Sequence, residues 1–268
     1  MPNNELKDKA YEWLNFLNTD ERMIKAINEG KESAALIRDL NYEYAVKEYL
    51  SCINSENRER FNTKHIVVDA CVQDIIPMYK GNELAVLNYG SFKNPGGRFL
   101  QGDMAQEEAL CHVTGLFPIL EEKFNVRYYL YNRGNLNHGQ YNHSFVAALV
   151  PYLINNNFGT CYIITGSAPN FISAKRYGYR AYSGITEETM KQAMWERQEL
   201  VYLIAGVLGV KYFVAGPWGC GVFKNDPYHV AEGWKRCVNK YPGLFKEVIH
   251  TCPDKNSNNY KAFMEVLK

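Results

Sequence analysis

Apolar residues recur at helical spacing from the start of the chain. Ala10, Trp13, Leu14 and Leu17 share one face of a 3.6-residue repeat. Asp20 opens a second segment, and a third is expected over residues 33–53, so residues 5–60 read as helical. Residues 55–64 are polar, and they read equally as a linker or as a helix end with its loop. The period then changes. Ile66-Val67-Val68 is a short β-branched run, and residues 72–79 form a helix kept short by Pro77. A turn at Gly81-Asn82 leads into Leu84-Ala85-Val86-Leu87-Asn88-Tyr89, a buried strand. Asp103 with Gln106 three residues on predicts a capped helix over residues 104–112. Val126-Arg127-Tyr128-Tyr129-Leu130-Tyr131 reads as a strand, and residues 132–157 are ambiguous, with Pro151 against a regular helix. Cys161-Tyr162-Ile163-Ile164-Thr165 is a strand ended by Gly166. Thr186 caps a long helix to Leu208, with Met190, Met194, Val201, Ile204 and Ala205 on one side and Gly209 closing it. Residues 210–215 are a strand, and Asp226-Pro227 starts a helix to about Tyr241. Residues 245–251 are the last strand and 260–267 the last helix. Strands that alternate with helices predict an α/β layered fold.

Composition narrows the function classes. The 268 residues suit one large domain or a core with an extension, and 46% hydrophobic content is ample for a packed core. A net charge of +1 gives no global electrostatic case for nucleic acid. The seven cysteines show no CxxC pair, which predicts free thiols in a reducing, cytoplasmic compartment. The polar start Met1-Pro2-Asn3-Asn4-Glu5 predicts no signal peptide, and no window has the length of a membrane span. His138 and His143 lack metal-ligand spacing, so no metal and no cofactor are expected.

Two glycine loops carry the candidate chemistry. One is Asn94-Pro95-Gly96-Gly97-Arg98, followed by Gln106-Glu107-Glu108 at a helix start; the other is Gly216-Pro217-Trp218-Gly219-Cys220-Gly221-Val222-Phe223. Glycine lets backbone approach a bulky ligand, and exposed N–H groups after a strand suit a diphosphate. Neither loop has the P-loop pattern, and the second reverses the dinucleotide fingerprint. Either could also be a tight turn and nothing more. Acidic residues in a first helical turn ordinarily just complement the dipole, which lowers a carboxyl pKa. An acid here therefore needs burial or a nearby anion to hold its proton. Adjacent helical residues point about 100° apart, so Glu107 and Glu108 would divide the work rather than share it.

Taken together, these motifs resemble the microbial-type poly(ADP-ribose) glycohydrolases of the macrodomain superfamily. That family's Gly-Gly-Gly, spacer, Gln-Glu-Glu signature is matched by Gly96-Gly97-Arg98 and Gln106-Glu107-Glu108. Leu87-Asn88-Tyr89-Gly90-Ser91, Ser167-Ala168-Pro169-Asn170 and residues 216–227 resemble further family segments in the same order, over residues 64–268. The resemblance implies a three-layer α/β/α macrodomain with a mixed sheet. Residues 1–63 would be a helical extension packed on a core of residues 64–268. It implies ADP-ribose, poly(ADP-ribose) or an ADP-ribosylated protein as partner, Glu108 as catalytic acid and Glu107 as holder of the terminal ribose hydroxyls. Asn88 and the Gly96–Gly97 turn would line that ribose, and Ser91, Arg98 and Gln106 would be further substrate-binding residues. Gly219, Cys220, Gly221 and Val222 would cradle the diphosphate, Phe223 would wall the ribose and Asp69 would meet the adenine amino group. Arg98 departs from the third glycine of the family triplet. It puts polymer cleavage in question more than ADP-ribose binding, and leaves open removal of single ADP-ribose groups from proteins. A catalytically inactive ADP-ribose reader is the alternative outside enzymes.

Overall fold

The computed structural model describes residues 4–39, 41–55, 59–79, 83–135, 143–178 and 185–268. In chain order the elements are α1 (Asn4–Leu17), α2 (Glu21–Ser33), β1 (Ala35–Asp39), α3 (Tyr42–Ser55), β2 (Lys64–Val68), α4 (Val72–Ile75) and β3 (Leu84–Tyr89). There follow α5 (Gln106–Cys111), α6 (Leu116–Phe124), α7 (Tyr131–Gly134), β4 (His143–Ile154) and β5 (Asn157–Gly166). The chain ends with α8 (Glu187–Val207), β6 (Tyr212–Ala215), α9 (Pro227–Lys240), β7 (Glu247–Thr251) and α10 (Asn258–Val266). The seven strands are those of a mixed sheet, and the described chain packs as two compact units.

The first unit takes in Met1–Ile37, Val72–Gly134 and Phe145–Gly166, with strand order β1-β4-β5-β3. β3 runs parallel to β5, pairing Asn88 with Thr165, while β4 runs antiparallel to β5. Leu84, Ala85, Val86 and Leu87 are all buried, as expected of a strand covered on both faces. Ala10 and Leu17 of α1 are buried, and the Trp13 indole donates to the Thr114 carbonyl at 3.1 Å. Asp20 caps α2 by accepting the Arg22 and Met23 N–H groups.

The second unit takes in Arg38–Cys71, Asn135–Ser144 and Ser167–Lys268, with strand order β6-β7-β2, all parallel. α8 is capped by Thr186 and buries Leu200 to Gly206 without a break. Gly209, at φ 73°, turns the chain out of that helix into β6. Asp226 caps α9, with Pro227 in its first turn.

Three expectations are corrected. Residues 126–131 are not a strand: the chain leaves α6 through a wide π-helical stretch, Asn125–Leu130, into α7. Tyr128 and Tyr129 are both fully buried while Val126 and Leu130 are exposed, a pattern that alternation across a sheet cannot produce. Residues 33–53 are not one helix, because β1 intervenes. Asn41 restarts the helix by accepting the Tyr44 N–H at 3.0 Å. Asp103 does not cap α5. Ala105 holds that position, and Asp103 instead pairs with Arg98 at 2.7 Å. The ambiguous stretch contains β4, with Pro151 opposite Thr160. The Gly81-Asn82 turn, His138, the His143 side chain and residues 56–58 of the polar stretch lie outside the described residues.

A histidine pair lies within the second unit. His65 Nδ1 and His250 Nε2 are 3.0 Å apart, and His250 is fully buried. Burial, with the Lys235 charge, pushes His65 down to about 4. Burial and the His65 ring hold His250 well below the ordinary range. Both rings are thus neutral in the fold, whereas in the unfolded chain they take up protons below about pH 6.5. The unfolded state then binds more protons, so stability falls as pH drops from about 6.5 toward 4. Thermal melts are expected to show a lower Tm at pH 5 than at pH 7.5, each kcal/mol lost costing about 2–4 °C. The His65→Leu/His250→Leu double variant should lose part of that acid slope; an unchanged slope would assign it to other groups.

Candidate active site

β3 delivers Asn88 and Tyr89 to the mouth of the first glycine loop, and α5 returns three side chains to the same point. Gln106 accepts the Tyr89 N–H at 2.8 Å and donates to the Leu87 carbonyl at 2.8 Å, tying the helix start to the strand end. Glu107 accepts the Asn88 amide at 3.3 Å and the Ser91 N–H at 2.7 Å. The Asn88 amide also reaches the Thr165 hydroxyl at 3.2 Å. Glu108 accepts the Arg98 N–H at 2.8 Å on one oxygen and the Ala105 N–H at 3.1 Å on the other. Asn88 is fully buried, and Glu107 and Glu108 are 4% and 7% exposed, so these carboxyls are held by protein donors rather than water.

The loop closes over this cluster because its glycines permit it. Gly96 and Gly97 have φ of 63° and 61°, a region costly for other residues. A Cβ on Gly97 would overlap Glu108 Oε1 and stand 2.9 Å from Glu107 Oε2. Arg98 has φ −117°, so the third position of the triplet needs no glycine for its backbone. Its side chain is more than half exposed and pairs with Asp103.

Burial pushes the Glu107 carboxyl up to about 8, against the pull of the Ser91 N–H, and the adjacent Glu108 charge adds to the rise. Two buried groups feel the same charge: Cys111 and Tyr129 are both held well above their ordinary values, by burial first and by Glu107 next.

The second glycine loop belongs to the other unit and is built differently. Gly219, at φ 75°, packs where a Cβ would stand 2.5 Å from both the Ala168 Cβ and the Asn225 amide. Asn225 donates to the Pro169 carbonyl at 2.8 Å and the Gly219 carbonyl at 3.1 Å, binding the Ser167–Asn170 segment to the loop. The buried Trp234 indole donates to the Gly216 carbonyl at 3.0 Å. Among the described residues, the N–H groups of Gly219, Gly221, Val222 and Phe223 enter no backbone bond of the loop, and Val222 is 77% exposed. Cys220 is partly buried. Asp69, also in this unit, is exposed and accepts the Asp254 N–H at 2.8 Å.

Eight of the expected residues, Asn88, Ser91, Gly96, Gly97, Arg98, Gln106, Glu107 and Glu108, thus lie in the first unit, around the two carboxyls and the strand end. Gly219 to Phe223 form a loop in the second. Sequence reasoning missed Thr165, Tyr129 and Arg197. Thr165 follows from the parallel register alone. Arg197 is fully buried in α8, donates to the Ser167 carbonyl at 2.8 Å and lies 5.7 Å over the Trp218 ring. A cation in line with the apolar positions on one side of a long helix was the available signal for it. Among the described residues, no group of three or more His, Cys, Asp or Glu has metal-binding geometry, and no helix is long and apolar enough to cross a membrane.

Residues 18–148 match the family model described as microbial-type PARG, catalytic domain, PARG being poly(ADP-ribose) glycohydrolase. No curated protein is similar enough to match. Among solved structures, the Deinococcus radiodurans PARG in complex with ADP-ribose is 26% identical, with a TM-score of 0.78 over 90% of this chain and 97% of that one. The Thermomonospora curvata PARG is 21% identical, with a TM-score of 0.81 over 98% of this chain and 100% of that one, a likeness of fold. The chain therefore has the macrodomain-like α/β fold of the bacterial PARG structures.

Proposed function

From its relation to the microbial-type PARGs, we propose that the protein is a hydrolase of ADP-ribose glycosidic bonds, acting on poly(ADP-ribose). One observation carries the reading: two adjacent buried carboxyls with unlike environments, each aimed by backbone N–H groups of a glycine loop. Glu108 protonates the leaving oxygen at the anomeric carbon and then draws a proton from the attacking water. Glu107, with Asn88, Ser91 and Gln106 around it, holds the hydroxyls of the terminal ribose. Gly96 and Gly97 let the backbone approach that sugar. In the second unit, the open N–H groups at Gly219, Gly221 and Val222, with Cys220 between them, suit a diphosphate, and Phe223 is assigned the part of a ribose wall. Asp69 is assigned to the adenine amino group, for which it would exchange or share its bond to Asp254. The bound ADP-ribose of the Deinococcus relative supports this choice of ligand.

Incubation with poly(ADP-ribose), arginine-linked and glutamate-linked ADP-ribosylated proteins tests the reading. ADP-ribose release from the polymer is expected; release from none of the three would overturn it. A second reading, removal of single ADP-ribose groups from proteins, is favoured by Arg98 at the triplet's third position. It predicts release from one of the protein-linked substrates alone. The intact carboxyl pair weighs against a reader without activity.

Glu107 sets an alkaline limit. With its proton held to about pH 8, it ionises above that value and places a negative charge in the seat beside the acid. Turnover is expected to fall above about pH 8, and the Glu107→Gln variant, slower at its optimum, should lack that limb in a pH–rate profile. The same raised value means that the unfolded chain gives up this proton from about pH 4.5 while the fold keeps it, so its contribution to stability is lost as pH rises toward 8.

A further inference from the structure

The two N–H donors that hold Glu108, on Arg98 and Ala105, belong to one short segment of the first glycine loop. Between them the chain makes a tight turn, Phe99–Gln101, and a left-handed step at Gly102, φ 82°. The segment is closed on itself twice. The Asp103 N–H donates to the Arg98 carbonyl at 3.3 Å, and the Arg98 Nε meets Asp103 Oδ2 at 2.7 Å. We propose that the Arg98–Asp103 ion pair is a clasp that fixes the spacing of the two N–H donors and so aims the Glu108 carboxylate, making both residues positioning residues for hydrolysis. The inference rests on the reading of Glu108 as the acid.

The backbone at Arg98 has the φ of an ordinary residue, so glycine there would relieve no strain and would remove the ionic closure of the loop. Asp103 is thereby spent on the clasp rather than on capping α5. Glu108 reaches back to Ala105 in its place. The Arg98 and Asp103 side chains are 58% and 41% exposed, so the clasp acts in high dielectric and answers to salt. Exposed pairs are worth little, which bounds the effect to about a 2- to 5-fold change in rate.

Arg98→Gln and Asp103→Asn test this, with kcat at saturating poly(ADP-ribose) and the Kd for ADP-ribose measured separately. Each variant is expected to lose about 2- to 5-fold in kcat at an unchanged Kd, and the double variant no more than either alone. The charge-swapped pair, Arg98→Asp with Asp103→Arg, should recover part of the loss. Raising NaCl to about 1 M should slow the wild type by the same factor and leave the single variants unmoved. Independent, multiplying effects, or a weaker Kd for Arg98→Gln with Asp103→Asn unchanged, would overturn the clasp and make Arg98 a direct phosphate contact. Wild-type protein inactive on every ADP-ribosyl substrate would instead overturn the proposed function, and melting curves separate both results from loss of fold.

Discussion

Glu108→Gln is expected to lower turnover by about 10²- to 10⁴-fold, the usual worth of a positioned acid–base group. ADP-ribose affinity should stay within about threefold, because the side chain keeps its size. The substitution is not free for the fold. Both Glu108 oxygens accept backbone N–H groups, and a glutamine must turn its amide N–H₂ toward one of those donors. That mismatch leaves a buried donor unpaired and costs about 1–3 kcal/mol. Calorimetric binding of ADP-ribose at a temperature well below the melt, beside single-turnover rates, keeps the two effects apart. A rate near that of the wild type would remove Glu108 from the acid's role and transfer the question to Glu107.

Gly97→Ala should be nearly as damaging without touching an ionisable group. Its φ of 61° costs an alanine about 1–2 kcal/mol, and the new methyl enters the space of both carboxyls. Relief requires Glu107 and Glu108 to move, and a displacement near 1 Å at a reacting group costs about 10²-fold in rate. Gly134→Ala is the matched control, since a Cβ there meets nothing within 4 Å. Loss of kcat by Gly97→Ala with Gly134→Ala unaffected is the expected pair of results; equal, small effects would show that the carboxyls tolerate repositioning.

Much of this was legible in the chain, and the failures have physical causes. Strands such as Leu84–Tyr89 and helices with side-chain caps, as at Asp20, Thr186 and Asp226, announce themselves locally. The π-helical stretch does not. Aromatic and β-branched residues favour strands as isolated residues, but burial of two consecutive tyrosines decided the outcome there. Asp103 looked like a cap because capping is a local rule, whereas its partner, Arg98, is recruited by the fold of the loop. In the candidate site, residue types and spacing marked Glu107, Glu108 and the two glycine loops. Thr165, which meets the Asn88 amide, and Tyr129, which feels the Glu107 charge, come from other elements and were beyond periodicity. No sequence pattern announces the raised proton affinity of Glu107, which arises first from its burial in the fold.

The proton that Glu107 keeps in its buried seat makes ligand capture an exchange with the buffer as well as with the ligand. A guest that brings negative charge close to it will draw further protons from solution near pH 8. One that offers hydrogen-bond donors to the carboxylate will expel them instead. The heat of association, measured in buffers that differ in ionisation enthalpy, therefore counts those protons and tells which face of the guest Glu107 meets.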